Sequence, residues 1–230
     1  NLLISPQMER KKVRSYVLRA GRMSEGQKRA KYQLADQYLI PFDPSNKLAF
    51  KEIFSNDNKT YLEIGFGMGD ATVEIAGEHL NRNFIGIEVH PPGIGRILNL
   101  IEDGSLRNLK IIEHDAVEVA THMLDEKSLD GVHIFFPDPW PKKKHHKRRL
   151  INTEFLRLIA PKLIDGGYLH ISTDWEPYAE HILSTLEQNS QFNNTTDDYS
   201  ERPDYRPITK FERRGLKLGH QVWDITFNKI

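Results

Sequence analysis

Short apolar segments that alternate with helical patterns constrain the fold of this chain most strongly. Strand-like segments of this kind lie at residues 61–64, 83–88, 109–112, 132–136 and 168–172. Residues 132–136, VHIFF, are apolar except for His133, which is typical of a strand buried on both faces of a parallel sheet. With 230 residues, the chain is sized for one α/β domain with an appendage.

The stretch 60–70, TYLEIGFGMGD, is informative because a strand runs into a glycine-rich loop before a helical pattern begins at 71–80. Its glycines are Gly65, Gly67 and Gly69. Such a loop lets the backbone approach a ligand closely and points the N–H groups of the next helix at it. Asp70 stands where a dinucleotide-binding loop needs a small residue, and Glu63 lies nearby. The stretch favours a cationic nucleoside such as S-adenosylmethionine over a pyrophosphate, with a simple tight turn as the alternative.

Acidic residues follow two further strands at positions where nucleoside ligands bind. Glu88 ends the second strand, from which a carboxylate accepts ribose hydroxyls. Asp115 follows the third strand and is placed to accept a hydrogen bond from an adenine amine. Three acids at successive strand ends, counting Glu63, favour a nucleoside site. Glu88 and Asp115 are also compatible with capping the helices that begin near Pro91 and Ala116.

Residues 131–149, GVHIFFPDPWPKKKHHKRR, contain the candidate catalytic site. Two prolines hold Asp138 at the carboxyl end of the strand, where open α/β sheets bind ligands. Trp140 is predicted either to stack on a base or to pack beneath the loop. Of the eight residues 142–149, six are Lys or Arg and two are His, which predicts contact with phosphates. An ordinary turn and a solvated basic face are the alternatives.

The rest of the chain yields a coarse secondary structure. Asp174 and Trp175 follow the strand 168–172 and repeat the pairing of an acid with an aromatic residue at a strand end. Helices are predicted at 24–39 with Ser24 as cap, at 45–54 with Ser45 as cap, at 152–162 and at 177–189. Segments 192–196 and 221–227 are predicted to form an antiparallel pair, and residues 199–215 a long loop.

The distribution of charge is more informative than its total, since 32 Lys and Arg residues balance 32 Asp and Glu residues. Residues 9–31 contain nine Lys or Arg against two Glu, and residues 142–149 add six more cations. Two basic blocks on a neutral chain predict a surface for a polyanion. Arg14, Arg19 and Arg22 are the candidate contacts in the first block, with a basic solubilising tail as the alternative.

Composition also excludes several classes of protein. With no Cys, the chain has no disulfide framework and no thiolate metal site. His145 and His146 are adjacent rather than spaced as shared ligands, so no metal is predicted. No apolar run is long enough to span a membrane and the first residues lack a signal-peptide core, so we expect a soluble cytoplasmic protein.

We expect residues 1–40 to form a basic arm with a polar helix and residues 41–230 to form the main domain. The sequence leaves open whether the protein is a monomer or a homodimer.

Taken together, these motifs resemble those of the bacterial tRNA (guanine-N7)-methyltransferases over about residues 4–227. The motifs are RSYVLRAGRM at 14–23, LEIGFGMGD at 62–70, GIEVH at 86–90, FFPDPWPKKKHHKRR at 135–149, STDW at 172–175 and TKFERRG at 209–215. The resemblance implies a Rossmann-like class I fold that depends on S-adenosylmethionine, with a mainly parallel seven-stranded sheet flanked by helices. It also implies methylation of guanine 46 in the tRNA variable loop, with S-adenosylhomocysteine as the other product.

The resemblance assigns roles to individual residues. It implies that the methyl donor is held by Glu63, Glu88, Asp115 and Asp138, beside the glycines Gly65, Gly67 and Gly69. Asp138 is implied to be the catalytic residue. Substrate contacts are implied at Lys142, Asp174, Thr209, Lys210, Phe211 and Glu212, to which the basic blocks add Lys144, Arg148 and Arg19. Lys144 stands where the family usually has Arg, and Lys cannot make the bidentate phosphate contact of Arg.

Three other functions are compatible with parts of the sequence. DPWP at 138–141 resembles the acid-Pro-Pro-aromatic tetrad of enzymes that methylate exocyclic amines. Identifying the methylated atom separates methylation of an exocyclic amine from methylation of guanine N7. A non-catalytic RNA-binding protein with a degenerate nucleotide fold would show no turnover with a labelled methyl donor. A dinucleotide oxidoreductase shares the strand, glycine loop and helix, but the glycine spacing and Asp70 argue against it.

Overall fold

The computed structural model describes residues 13–17 and 21–230, which contain a seven-stranded sheet flanked by helices. The strands are β1 (Thr60–Ile64), β2 (Asn83–Glu88), β3 (Leu109–Glu113), β4 (Leu129–Phe135), β5 (Leu163–Thr173), β6 (Phe192–Asn194) and β7 (Trp223–Lys229). Their order in the sheet is β3-β2-β1-β4-β5-β7-β6. Strands β1 to β5 are parallel, and β7 is antiparallel to both β5 and β6. The mainly parallel seven-stranded sheet and the antiparallel C-terminal pair are therefore confirmed.

Helices fill the connections between these strands. They are α1 (Glu25–Tyr38), α2 (Phe50–Phe54), α3 (Asp70–Glu78), α4 (Pro91–Asp103), α5 (Ala116–His122), α6 (Thr153–Ile159), α7 (Glu176–Glu187) and α8 (Lys210–Lys217), with short 3-10 helices at Lys143–Arg148 and Ala160–Lys162. Ser24 caps α1 as predicted, because its hydroxyl accepts from the N–H of Gln27 at 3.2 Å and the Gln27 side chain accepts from the N–H of Ser24 at 2.8 Å. None of the helices within the described ranges is long and apolar enough to cross a membrane.

Two local predictions are wrong. The helix predicted from Ser45 begins only at Phe50, because the Asp43 carboxylate accepts from the N–H and the hydroxyl of Ser45 in a tight turn. The loop predicted at 199–215 contains the start of α8. This helix is capped by Thr209, whose hydroxyl accepts from the N–H of Glu212 at 3.1 Å. The proline-rich, charged composition of the segment concealed that cap.

The helices cover both faces of the sheet. On one face α1, α3 and α4 pack over the strands, and α4 supplies the fully buried side chains of Ile94, Ile97, Leu98 and Ile101. On the other face α5, α6 and α7 bury their apolar sides. Although the sequence placed α1 in the basic arm, α1 packs on α4, and the N–H of Ile40 donates to the carbonyl of Ile111 at 2.8 Å. The domain boundary at residue 40 stays a prediction.

Candidate methyl-donor cleft and catalytic loop

A cleft opens at the carboxyl ends of β1 to β4, between the loop after β1 and the loop after β4. Its walls are mainly apolar, and its acidic residues are Glu88, Asp115 and Asp138. No Lys or Arg of the described ranges lines it. Carboxylates without a neighbouring cation repel a pyrophosphate and attract a positively charged ligand. The cleft thus fits S-adenosylmethionine, the cationic nucleoside expected from the sequence.

The glycine loop begins at the wall of this cleft, which Gly65 lines. Gly65 and Gly67 have φ angles of 77° and 61°, which other residues rarely adopt. A Cβ at either position would meet no atom within 4 Å, so the absent side chains leave space for a ligand. Gly69 differs, because a Cβ there would lie 2.6 Å from Cγ1 of Ile97. This third glycine therefore allows α4 to pack closely against the loop.

Glu88 fastens the glycine loop to the end of β2. Its Oε2 accepts from the N–H of Gly67 at 2.9 Å, and its Oε1 accepts from the N–H groups of Val89 and His90 at 2.7 and 3.0 Å. A carboxylate offers roughly four lone-pair positions, so these bonds leave about one for a ligand. To accept both ribose hydroxyls, as the sequence predicts, Glu88 would have to give up its hydrogen bond from the N–H of Gly67, which would then turn toward the ligand.

Asp115 caps a helix and also lies in the wall of the cleft. Its Oδ1 accepts from the N–H of Val117 at 2.8 Å and caps α5, while the residue also lines the cleft. Ser15 and Tyr16 line the cleft beside it. Burial and the Asp115 carboxylate raise the pKa of the Tyr16 hydroxyl. The described part of the N-terminal arm therefore contributes to the wall of the cleft.

Glu63 lies near the cleft but outside its lining. Its side chain is buried, and this burial raises its pKa to about 7. The neighbouring Thr72 hydroxyl opposes the shift, and the negative charge of Glu88 adds to it. The carboxyl of Glu63 therefore keeps its proton to a higher pH than an exposed glutamate does.

The loop after β4 holds Asp138 in a strained backbone. Phe136 and Trp140 have φ angles of 52° and 46°, a conformation that costs about 1–3 kcal/mol for residues other than glycine. The carbonyl of Pro139 accepts from Nε of Arg149 at 3.0 Å. Asp138 itself is exposed, and no hydrogen bond to its carboxylate is formed by any described residue. Its neighbours thus fix the loop and leave the carboxylate available to a ligand.

The prediction that Arg149 belongs to the phosphate-binding surface is wrong. It is only 4% exposed, and its guanidinium lies 4.8 Å from the centre of the Tyr178 ring. The cations before it differ: Lys142, Lys143, Lys144 and Lys147 are exposed. The basic run is therefore divided between an outer set that faces solvent and an inner arginine that supports the Asp138 loop.

Trp140 packs within the protein. Its indole N–H donates to the carbonyl of Ser15 at 3.0 Å, and the Arg148 guanidinium lies 5.0 Å from its ring centre. These contacts favour packing over base stacking, and they join the N-terminal arm to the loop that contains Asp138. In that arm, Arg14 and Arg22 are exposed. Arg19 lies outside the described residues.

Asp174 lies at the same edge of the sheet as Asp138. Strands β4 and β5 are neighbours with Phe135 opposite Ser172, so the residues that follow each strand emerge side by side. Asp174 is half-buried, and the adjacent Trp175 is 41% exposed. The two aspartates therefore remain candidates for a shared substrate site.

The predicted substrate segment 209–212 forms the first turn of α8. Thr209 caps the helix. Glu212 is buried, and both of its carboxylate oxygens accept from Arg206. The side chains of Lys210 and Phe211 lie outside the described part of the structure. The sequence assigned no role to Ser15, Tyr16 or Arg206. The local signals were only an aromatic residue among arginines, for Tyr16, and a cation among prolines, for Arg206.

Comparison with known protein families identifies the class of enzyme to which the chain belongs. The family model described as "Putative methyltransferase" matches residues 57–225. The tRNA (guanine-N(7)-)-methyltransferase of Paraburkholderia xenovorans is 50% identical over 222 residues, which cover 96% of this chain and 85% of that protein. The protein with the same name from Nitrosospira multiformis is 51% identical over 217 residues, or 94% of each chain.

Solved structures share the fold at lower identity. The 16S rRNA methyltransferase KamB aligns with a TM-score of 0.59 and 15% identity, covering 79% of this chain and 93% of its own. An antibiotic-related methyltransferase aligns with a TM-score of 0.58 and 20% identity, covering 78% and 92%. These likenesses establish the Rossmann-like methyltransferase fold.

Proposed function

The chain belongs to the tRNA (guanine-N(7)-)-methyltransferase family, and on this premise we propose that it methylates N7 of guanine 46 in the variable loop of tRNA, with S-adenosylmethionine as donor. The observation that carries this proposal is the position of Asp138. Its exposed carboxylate lies between the acidic, glycine-lined cleft and the exposed cations of the Lys143–Arg148 turn. With tRNA as substrate, the cytoplasm is its proposed place of action.

Residues of the cleft are proposed to hold the donor. S-adenosylmethionine supplies the methyl group on a positively charged sulfur and leaves as S-adenosylhomocysteine. Glu88 accepts from the ribose, Asp115 accepts from the adenine amine, and the backbone at Gly65 and Gly67 lies against the ligand. The carboxylates compensate the positive charge of the sulfur, and no Lys or Arg of the described ranges lines the cleft.

Guanine N7 carries an unprotonated lone pair, so no residue needs to act as a general base. The protein instead aligns the base and stabilises the positive charge that develops on guanine during transfer. Asp138 and Asp174 offer acceptors for the N1–H and the exocyclic amine of guanine, a pair of donors that adenine lacks. The charge of Asp138, adjoining the donor cleft, is proposed to stabilise the transition state.

The identity of the methylated atom tests this function. Purified protein is incubated with unmodified tRNA and labelled S-adenosylmethionine, and the RNA is then treated with borohydride and aniline. We expect strand cleavage at guanine 46, since N7-methylated guanosine is sensitive to this treatment. Label in the RNA without cleavage would exclude guanine N7 in favour of another atom, such as an exocyclic amine, and absence of label would favour a non-catalytic RNA-binding protein.

Replacing Glu88 is expected to impair donor binding. Glu88→Ala removes a ligand acceptor and the carboxylate that holds the N–H of Gly67, so the affinity for S-adenosylmethionine should fall at least about tenfold. Affinity for tRNA should change little. Calorimetry with the donor and filter binding with tRNA measure the two effects. Glu113→Ala is a matched control, because Glu113 lies opposite Glu88 on β3 and pairs with Lys31 outside the cleft; equal donor affinity in both variants would contradict the assignment.

The exposed cations after the Asp138 loop are expected to make tRNA binding strongly salt-dependent. In Lys142→Gln, the slope of log affinity against log salt concentration should become shallower by about one, the value for one lost phosphate contact. Lys59→Gln is the control, because Lys59 is exposed at the opposite, amino edge of the sheet. Filter binding between low and physiological salt measures both slopes. An unchanged slope in Lys142→Gln would remove Lys142 from the tRNA surface.

A further inference from the structure

Arg206 is a buried arginine that joins the segment before α8 to the sheet. It is 1% exposed. Its Nη1 and Nη2 donate to the two oxygens of Glu212 at 2.7 and 2.8 Å, and Nη2 also donates to Oδ2 of Asp224 at 2.9 Å. Nε lies 2.8 Å from Oδ1 of Asp224. Since Glu212 is in α8 and Asp224 is in β7, one guanidinium ties the first turn of the helix to the sheet.

Hydrogen bonds extend this arrangement to the middle of the sheet. Oδ1 of Asp224 lies 2.7 Å from Nε2 of His170, and Nδ1 of His170 lies 2.7 Å from the hydroxyl of Tyr205. An ionised carboxylate can only accept, so His170 donates from Nε2 and accepts from Tyr205 through Nδ1. Burial alone would raise the pKa of Asp224, but the hydrogen bonds from His170 and Arg206 lower it overall. Arg206 is thus held by an ionised and immobilised partner.

The same guanidinium contacts the catalytic loop. Its central carbon lies 5.7 Å from the centre of the Phe136 ring, within the range of a cation–π interaction. Phe136 has a left-handed backbone and is separated from Asp138 by a single proline. Arg206 therefore touches both the loop that presents Asp138 and the turn that begins at Thr209.

We propose that Arg206 is a positioning residue for methyl transfer, which sets the first turn of α8 relative to the Asp138 loop. The inference rests on the proposed function. It also assigns Glu212 a different role from the substrate contact expected from the sequence, because that side chain is buried and both of its oxygens accept from Arg206. Glu212 acts on the reaction through Arg206.

Arg206→Lys is the informative variant. Lysine keeps the positive charge, but its single ammonium group cannot bridge two carboxylates in the fork geometry of a guanidinium. A small displacement of groups around a reacting base lowers the transfer rate even when the ligands still bind. Arg213→Lys is the matched control, because Arg213 is exposed on the same helix and its guanidinium donates to the carbonyl of Ile208 at 3.0 Å.

The experiment measures single-turnover methyl transfer at saturating tRNA and donor, normalised to the number of donor-binding sites found by calorimetry. That normalisation counts folded protein, because the donor cleft does not include Arg206. We expect Arg206→Lys to transfer at least about tenfold more slowly per site, with donor affinity within about threefold of wild type. Arg213→Lys should keep the wild-type rate per site. A wild-type rate in Arg206→Lys, or a loss fully explained by fewer donor-binding sites, would overturn the proposal.

A double variant tests the assignment of Glu212. If Glu212 acts through Arg206, then Glu212→Gln should slow transfer, and the double variant with Arg206→Lys should be no slower than the slower single variant. Multiplication of the two losses would show that Glu212 acts independently and would overturn this part of the proposal. Wild-type protein that fails to methylate tRNA would refute the proposed function itself. Active wild type with an equally active Arg206→Lys would refute only the inference.

Discussion

Asp138→Asn is expected to slow methyl transfer by about 30- to 900-fold at saturating tRNA and donor. Asparagine keeps the shape and part of the hydrogen bonding but removes the negative charge beside the developing guanine cation. Loss of one such preorganised group costs roughly 2 to 4 kcal/mol. The backbone should not move, because Arg149 holds the carbonyl of Pro139 and the N–H of Phe136 donates to the carbonyl of Ser172 at 2.8 Å.

The pattern of the kinetic constants separates catalysis from binding in this variant. An interaction made mainly in the transition state lowers kcat and kcat/KM together, whereas one made equally in the ground state raises KM alone. Asp138→Asn should show the first pattern, while the comparison variant Asp174→Asn should lose part of its activity as a higher KM for tRNA. Single-turnover rates of Asp138→Asn within a few-fold of wild type would leave Asp138 as a turn residue.

Glu63→Gln is expected to stabilise the folded protein, compared with wild type, more at pH 8 than at pH 5. Burial raises the pKa of Glu63 from 4.5 to about 7, so the folded state binds this proton more tightly than the unfolded chain. Below about pH 4.5 both states are protonated and there is no cost. As the pH rises through about 7, the folded state must bury a charge, and the full cost reaches about 3 kcal/mol. Glutamine removes that pH-dependent cost.

Urea unfolding of wild type and variant at pH 5 and pH 8 measures this effect. At each pH, the free energy of unfolding of wild type is subtracted from that of the variant. The two differences are then compared, because any effect of the amide that does not depend on pH cancels. We expect a gain for Glu63→Gln of up to about 3 kcal/mol between the two pH values. Glu74→Gln, on the exposed side of α3, should show none. A flat difference for Glu63→Gln would mean that the carboxyl is not desolvated in solution.

The strands and most helices were predictable from the sequence because their signals are local. Apolar runs of strand length at 83–88 and 109–112 coincide with β2 and β3 to within one residue. Side-chain caps such as Ser24 were also visible, since the cap and its partner are only three residues apart. Where a competing local hydrogen bond existed, as between Asp43 and Ser45, the same reasoning placed a helix start wrongly.

The candidate site was predictable where it depends on strand ends. Parallel strands bring their carboxyl ends to one edge of the sheet, so Glu88, Asp115 and Asp138 had to lie near one another once the strands were assigned. Gly65 and Gly67 were visible as a glycine loop, and their lack of a side chain permits the positive φ angles that the structure shows. The sequence by itself therefore determined the fold class, the edge of the sheet that holds the cleft and the acidic character of that cleft.

Only the tertiary structure decided which charged residues face solvent and which support the site. Arg148 and Arg149 are neighbours in one basic run, yet the first lies over Trp140 and the second is buried against Tyr178. Glu212 belongs to a motif expected to contact substrate, but Arg206 takes both of its oxygens. The cost of burying a charge is offset by partners that the fold brings together, such as Asp224 on β7, which lies 18 residues from Arg206 in the chain. Such partners leave no periodicity or spacing in the sequence, and so the choice between surface and support is made when the sheet, α7 and α8 pack together.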